Sequence, residues 1–315
     1  MLLQVLYLFL SILGLYLGAE FTLSSAEKIG RYFGLSPLVI GLLIVGFGTS
    51  LPELFVSQLA AYRGHPAMAV GNIVGSNVAN LLLILGFSGI LIRLFITGKE
   101  LREQFYWHLG LTLLLIPVLL FKLLNPWTTL VLEGFFIAYL VRTFIDMRSE
   151  RHLRSLSLEE VEEHPPAKAQ DFALLILGFA MLYGAGELLV SSGTTLGTQA
   201  GISEYFISAV FVAFGTSFPE LVTSLLACFK KKNTDLIIGN IIGSNIFNGS
   251  MILGSLGFYN LKIEKDFHFE VAILLVSAIF LLALNFFKKN FSRVAGLFFF
   301  GCYLATVYFW ARAEG

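Results

Sequence analysis

The chain has 315 residues, of which 57% are hydrophobic and only 13% are charged. Soluble domains are about 45–50% apolar and about 25% charged, so these values exclude a soluble domain and a disordered chain. The 21 basic and 21 acidic residues balance, and no basic excess indicates a nucleic-acid partner. At about 20 residues for each crossing, the length allows roughly ten to twelve transmembrane helices. The composition therefore predicts a polytopic helical protein in the lipid bilayer.

Taken in chain order, the apolar runs predict ten transmembrane helices and an all-α fold class. The first run is interpreted as a retained helix, because it is too long for a signal peptide and no basic segment precedes it. The predicted helices cover residues 2–31, 36–62, 67–94, 105–122, 127–146, 170–198, 203–229, 235–258, 269–287 and 292–311.

The basic residues are distributed unevenly over the predicted loops. Sixteen of the 21 lie in the odd-numbered loops, counted from the N-terminus, and five lie in the even-numbered loops and the C-terminal segment. Loops rich in Lys and Arg stay in the cytoplasm. Both termini are therefore expected outside, with the odd loops, including the long polar segment 147–169, in the cytoplasm.

Two pairs of segments repeat along the chain. Residues 34–61 and 201–228 share 14 identities in 28 positions, including GFGTSLPE against AFGTSFPE. Residues 71–86 and 239–254, GNIVGSNVANLLLILG and GNIIGSNIFNGSMILG, share ten identities in 16 positions. Shared Leu and Val could arise by chance among apolar helices, but shared Gly, Asn, Pro and Glu could not.

The repeat defines two halves of opposite orientation. Each half holds five spans, and an odd number of spans means that the second half enters the membrane from the other side. Inverted repeats that meet near the bilayer midplane are an architecture of secondary transporters. The predicted domains are residues 1–146 as the first five-helix repeat, 147–169 as a cytoplasmic linker and 170–315 as the second repeat.

The shared residues include side chains that a lipid-facing helix avoids. Glu53 and Glu220 lie within predicted spans that offer no nearby Lys or Arg, which leaves a bound cation or a proton as their partner. Pro52 and Pro219 lack an N–H group and predict that each helix breaks just before these acids, exposing carbonyl oxygens.

Further oxygen donors fall on the same helix faces. Four residues separate Thr49 from Glu53 and Thr216 from Glu220, and the pairs Ser76–Asn80 and Ser244–Asn248 have the same spacing. An all-oxygen set suits Ca²⁺ and small alkali cations. Asn72, Asn77, Asn240 and Asn245 are predicted either to cap broken helices or to hydrogen-bond between helices, rather than to bind an ion. The five histidines are placed at helix ends or in loops, with structural or incidental roles.

With these two paired motifs, the sequence resembles the calcium/cation antiporter superfamily, most closely the prokaryotic sodium/calcium exchangers. The resemblance implies outward Ca²⁺ transport driven by inward Na⁺, without a cofactor or enzymatic activity, in a prokaryotic plasma (inner) membrane. The first and sixth helices would slide to alternate access. The implied ion ligands are Glu53, Glu220, Thr49, Thr216, Ser50, Ser217, Ser76, Ser244, Asn80, Asn248 and the carbonyls of Gly46 and Ala213.

One departure from the family pattern leaves the coupling ion open. Family members often carry Asp in one copy of the final motif position, whereas Asn80 and Asn248 are both amides. Two glutamates still balance Ca²⁺, so a calcium site is expected. Proton-coupled exchange of calcium or of another divalent cation remains the alternative function, because a buried carboxyl can carry a proton.

Overall fold

A computed structural model describes residues 2–122, 124–156, 166–201, 215–263 and 265–313. Apart from connections and one antiparallel bridge between Leu94 and Phe291, these residues are helical. Nine of the described helices are long and apolar enough to cross a membrane, and α7 is a shorter apolar helix. The helices are α1 (Leu2–Tyr32), α2 (Pro37–Tyr62), α3 (Pro66–Leu91), α4 (Lys99–Leu120), α5 (Pro126–Leu156), α6 (Ala169–Gln199), α7 (Phe218–Phe229), α8 (Thr234–Tyr259), α9 (His268–Phe286) and α10 (Arg293–Ala313).

Two described helix ends differ from the prediction by more than three residues. Helix α4 begins at Lys99 rather than at residue 105, because its first turn is polar and does not register as part of an apolar run. Helix α5 continues to Leu156, so the prediction that it ends at residue 146 is wrong. The ion pair between Arg142 and Asp146, at 3.0 Å, joins two adjacent turns of α5 just before this extension.

Two segments lie outside the described residues. They are 157–165, within the predicted linker, and 202–214, which holds the first part of the predicted seventh helix. The implied ligand Ala213 belongs to the second of these segments.

The backbone leaves the helical region at the same position in both repeats. Ser50 has φ −85° and ψ 5°, and Ser217 has φ −87° and ψ 5°. A helix begins at the next residue, which places Pro52 and Pro219 in its first turn, where a missing N–H group costs nothing. The predicted break before the Pro-Glu pair is present in the first repeat, and in the second repeat the residues just before Gly215 lie outside the described part of the chain.

The centre of the molecule is formed by α3 and α8 packed against α2. Over their most apolar stretches α8 is 94% and α3 83% buried, whereas α6 and α10 are 22% buried. Glycines allow α2 and α8 to touch along their backbones: a Cβ atom added to Gly239 would lie 2.4 Å from the Leu38 carbonyl oxygen, and one added to Gly243 2.3 Å from that of Leu42.

The outer helices carry the apolar surface. Phe9, Trp127, Ile176, Val294 and Phe298 are each more than 60% exposed. A surface with this many exposed large apolar side chains is stable in lipid and would aggregate in water. The chain is a multi-pass membrane protein.

Candidate functional site

Glu53 and Glu220 lie at equivalent places in the two repeats, and both are completely buried. Each lies in the first turn of the helix that begins directly after Ser50 or Ser217, where unpaired N–H groups favour a negative charge. Among the described residues, neither carboxylate forms an ion pair with Lys or Arg. The protein thus buries two acids without a basic partner, as the sequence indicated.

Each glutamate is contacted by the serine that precedes the Pro-Glu helix of the other repeat. Ser50 donates its hydroxyl to Glu220 Oε1 at 3.0 Å, and Ser217 donates to Glu53 Oε1 at 3.5 Å. The second oxygen of each carboxylate, Oε2, is buried and has no hydrogen-bond partner. The site therefore lies where the two repeats meet, with one free carboxylate oxygen from each.

The remaining predicted hydroxyls surround these carboxylates. Ser76 and Thr216 lie beside the Glu53 carboxyl, and their hydroxyl oxygens are 3.4 Å apart. Thr49 lies beside the Glu220 carboxyl and donates to the Gly46 carbonyl at 3.3 Å. These residues are brought together from both repeats.

The Gly46 carbonyl is already occupied by protein donors. Besides Thr49, it accepts hydrogen bonds from the Ser244 hydroxyl at 3.0 Å and from the Ser50 N–H at 3.2 Å. An ion that used this carbonyl would have to displace one of them. Ser244 is fully buried on α8, where it ties the central helix to the interrupted turn of α2.

Two amides supply further free oxygens. Asn80 and Asn248 are 1% and 0% exposed, and the Oδ1 atom of each has no hydrogen-bond partner. Buried polar atoms are nearly always hydrogen-bonded, so these oxygens have the capacity to coordinate an ion. The free set consists of two carboxylate and two amide oxygens, the donors that hard cations prefer.

A second layer of asparagines ties the motifs together, as predicted. Asn72 donates to the Ser57 hydroxyl at 3.0 Å and accepts from the Thr216 hydroxyl at 3.1 Å. The second copy repeats this pattern with Asn240, Ser224 and Thr49. Each threonine of an interrupted turn is therefore held by the other repeat.

The interpretation of all histidines as helix-end or loop residues is wrong for His108. It lies within α4, is 3% exposed, and its Nε2 atom is 3.3 Å from Asn245 Nδ2. Gln104, His108 and Thr112, all buried, recur every four residues along α4. The four-residue spacing of these polar side chains is the sequence signal that identifies the stripe, once the helix is taken to begin at Lys99.

The geometry suits the binding of a bare cation between the repeats. No group of three or more His, Cys, Asp or Glu side chains that could hold a metal occurs within the described part of the chain. Two carboxylates and neutral oxygens match the charge of one divalent or two monovalent cations.

Known proteins share the sequence and the fold. Membrane protein MJ0091 of Methanocaldococcus jannaschii is 31% identical, with 98% of each chain covered. Sodium/calcium exchanger MaX1 of Methanosarcina acetivorans is 27% identical over 96% of this chain and 98% of its own. A structure of the sodium-calcium exchanger NCX_Mj, soaked with Na⁺ and Sr²⁺, gives a TM-score of 0.80 at 30% identity and covers 97% of this chain and 98% of its own.

The family itself is identified by a match over both halves of the chain. The model of the sodium/calcium exchanger protein family matches residues 3–145 and 171–311. The resemblance inferred from the two repeated motifs is thereby confirmed. The chain belongs to the sodium/calcium exchanger protein family and is a membrane transporter rather than an enzyme.

Proposed function

We propose that the chain moves Ca²⁺ out of the cell in exchange for Na⁺ and binds both ions at the site between the repeats. The observation that carries this function is the pair of fully buried carboxylates, each with an oxygen that has no hydrogen-bond partner and with no ion pair to Lys or Arg among the described residues. Ca²⁺ and Na⁺ are the substrates, and no cofactor is required. The proposed ligands are Glu53, Glu220, Thr49, Thr216, Ser50, Ser217, Ser76, Ser244, Asn80, Asn248 and the carbonyls of Gly46 and Ala213, the last outside the described residues.

The charge of the site accounts for coupled exchange. Two ionised carboxylates without a cation are costly in a medium of low dielectric, so the empty site resists the change from one orientation to the other. One Ca²⁺ or two monovalent cations remove this cost. The site therefore changes its orientation only when Ca²⁺ or two monovalent cations are bound. Release of one kind of ion must be followed by binding of an ion on the same side, which makes the protein an antiporter.

Helix α6 is in position to control access to the site. The ring of Phe179 packs directly on Gly48, beside the interrupted turn of α2, and Gly186 lies next to Gly215 in the interrupted turn that precedes α7. Helix α6 itself is packed backbone to backbone against α1, at Gly18 and Gly178. Sliding of the α1–α6 pair would shift the cover of both turns together.

Contacts between loops support the proposed topology. Predicted cytoplasmic segments contact one another, as in the Lys28–Asp171 pair at 3.3 Å and the Leu94–Phe291 bridge. Predicted outer segments do the same in the Lys122–Asp266 pair at 3.0 Å. We place both termini outside and the central linker in the cytoplasm, in the plasma (inner) membrane of a prokaryote.

The two matched parts of the family model support the proposed division of the chain. The match leaves residues 146–170 uncovered, close to the proposed linker 147–169. Since α5 reaches Leu156, the first part of that linker is a helical extension of the first repeat, 1–146. The second repeat is 170–315.

Proton-coupled exchange is the second candidate, because two protons neutralise two carboxylates as well as two Na⁺ do. Serine hydroxyls already lie at 3.0 Å and 3.5 Å from the acids and can accept a hydrogen bond from a protonated carboxyl. Both amides are neutral, so the residues of the site do not exclude this coupling.

The deciding experiment uses the purified protein in liposomes. Vesicles loaded with Na⁺ are diluted into Na⁺-free medium containing radioactive Ca²⁺, with and without an ionophore that collapses the pH gradient. Sodium coupling predicts Ca²⁺ uptake that depends on internal Na⁺ and persists without a pH gradient. Uptake that needs a pH gradient and ignores Na⁺ would establish the proton-coupled alternative.

A further inference from the structure

The central helices α3 and α8 are joined by a reciprocal pair of asparagines. Asn77 Nδ2 donates to the backbone carbonyl of Asn245, and Asn245 Nδ2 donates to the backbone carbonyl of Asn77, both at 3.3 Å. Asn77 and Asn245 are the equivalent residues of the two GSN motifs. They are 3% and 0% exposed, so water does not compete for these groups.

This pair determines the orientation of the Asn245 amide. A carbonyl oxygen only accepts hydrogen bonds, so the Asn245 atom that faces Asn77 must be the nitrogen. The same nitrogen lies 3.3 Å from His108 Nε2, which then accepts its second hydrogen. Asn245 Oδ1 consequently faces the other way, toward Asn80.

The Asn245 oxygen in turn determines the orientation of Asn80. Asn80 Nδ2 donates to Asn245 Oδ1 at 3.0 Å, which leaves Asn80 Oδ1 as its free atom. Asn80 follows Ser76 by one helical turn, and Ser76 lies beside the Glu53 carboxyl. An oxygen, rather than an NH₂ group, is thereby left free for a cation near the carboxylates.

The described residues do not form the equivalent hydrogen bond in the second repeat. The counterpart of the Asn80–Asn245 bond would join Asn248 Nδ2 to Asn77 Oδ1, and neither of these buried atoms has a partner within the described part of the chain. No described side chain therefore orients the amide of Asn248, although its sequence motif is the same. His108 and its contact with Asn245 distinguish the first half of the site from the second.

We infer that His108 and Asn245 are positioning residues for cation binding. Through two successive hydrogen bonds they hold the Asn80 amide with its oxygen directed to the ion, whereas Asn248 is left free to turn. This inference rests on the proposed ion site but not on the coupling ion. It assigns a function to a buried histidine that touches no ion ligand directly.

The test measures Ca²⁺/Ca²⁺ self-exchange in liposomes, which needs neither Na⁺ nor a pH gradient. His108→Leu removes the acceptor of Asn245 and should raise the Ca²⁺ concentration for half-maximal exchange roughly fivefold, as expected for one lost buried hydrogen bond. His108→Gln retains an acceptor oxygen and should restore affinity to near that of the unmodified protein. Gln104→Leu, one turn earlier on the buried face of α4, is the matched control and should leave the affinity unchanged.

A second background separates positioning from simple packing. In Asn80→Asp protein a carboxylate presents an oxygen in either orientation, so adding His108→Leu should no longer change the affinity of that variant. An equal loss of affinity in both backgrounds, or normal affinity of His108→Leu in the otherwise unmodified protein, would overturn the inference. Absence of self-exchange by the unmodified protein would instead overturn the proposed function, and this inference with it.

Discussion

Glu53 and Glu220 carry the charge of the proposed site, and their burial separates a functional role from a structural one. A structural acid in a membrane is paired with a basic residue or exposed at an interface. Glu20 is such a structural acid, because its carboxylate pairs with Lys230. Glu53 and Glu220 have serine hydroxyls as neighbours and retain one free oxygen each.

Replacing either acid by Gln should abolish Ca²⁺ exchange and leave the fold intact. The ion loses half of its compensating charge, whereas the protein loses an unpaired buried carboxylate, so its thermal unfolding temperature in detergent should be equal or higher. Exchange is measured by Ca²⁺ uptake into liposomes. Glu103→Gln, which alters a partly exposed pair 3.8 Å from Arg142, is the control and should keep its activity. Near-normal exchange by both Glu53→Gln and Glu220→Gln would show that the ion binds elsewhere.

Ser50 and Ser217 should contribute unequally to Ca²⁺ affinity. Ser50 lies 3.0 Å from Glu220, whereas Ser217 lies 3.5 Å from Glu53, at the limit of a hydrogen bond. A hydrogen bond to a charged group contributes about 1.5–3 kcal/mol, so Ser50→Ala should weaken the apparent Ca²⁺ affinity by about tenfold or more. Ser217→Ala should have a smaller effect in the same uptake assay. The reverse order would contradict the geometry.

At the scale of helices, the interrupted turns follow from local sequence. Pro52 and Pro219 cannot accept a preceding helical turn without loss of a hydrogen bond, and both repeats adopt the same backbone at the serine two residues earlier. The close crossing of α2 and α8 depends on glycine in a different way. There, the absence of a side chain lets two backbones touch.

Gly243→Ala should destabilise the protein through this crossing. Its new Cβ atom would lie 2.3 Å from the Leu42 carbonyl oxygen, and the backbone there cannot yield as a side chain would. Overpacking of this kind costs typically about 1–3 kcal/mol, so the unfolding temperature in detergent should fall by several degrees. Gly134→Ala, on α5 with no atom within 4 Å of the new Cβ, is the control. Equal stability of the two variants would show that the crossing can relax.

At the scale of the whole molecule, two inverted halves place equivalent residues on opposite sides of one site. The contacts that build the site join residues 164 and 170 positions apart in the chain. Neither half completes the site alone, because each carboxylate receives its hydroxyl from the other half. In the proposed mechanism the α1–α6 pair, one helix from each half, slides over this shared site and opens it to one side or the other.

The proposed orientation can be tested by labelling in cells with an impermeant thiol reagent. In a background where Cys228 and Cys302 are replaced by Ser, Arg151→Cys and Lys231→Cys should be protected from outside, and Lys265→Cys should react. Permeabilised cells should label at all three positions, which controls for accessibility. Labelling of all three from outside intact cells would refute the inverted topology.

The class of fold and the motifs of the site can be predicted from the amino-acid sequence alone. Apolar runs indicate membrane helices because lipid admits little else, and the repeated Pro-Glu and Asn motifs stand out because such residues are costly there. Apolar runs do not define the ends of helices, because the polar first turn of α4 and the charged last turns of α5 carry no apolar signal.

Which of these groups come into contact depends on how the helices pack. Ser50 contacts Glu220, and Ser217 contacts Glu53. Ser244 donates a hydrogen bond to the Gly46 carbonyl. His108 lies against Asn245. These contacts depend on how helices from two halves cross, and local propensity does not encode a crossing. The difference between Asn80 and Asn248 has the same origin, because identical motifs meet different neighbours once the two halves pack together.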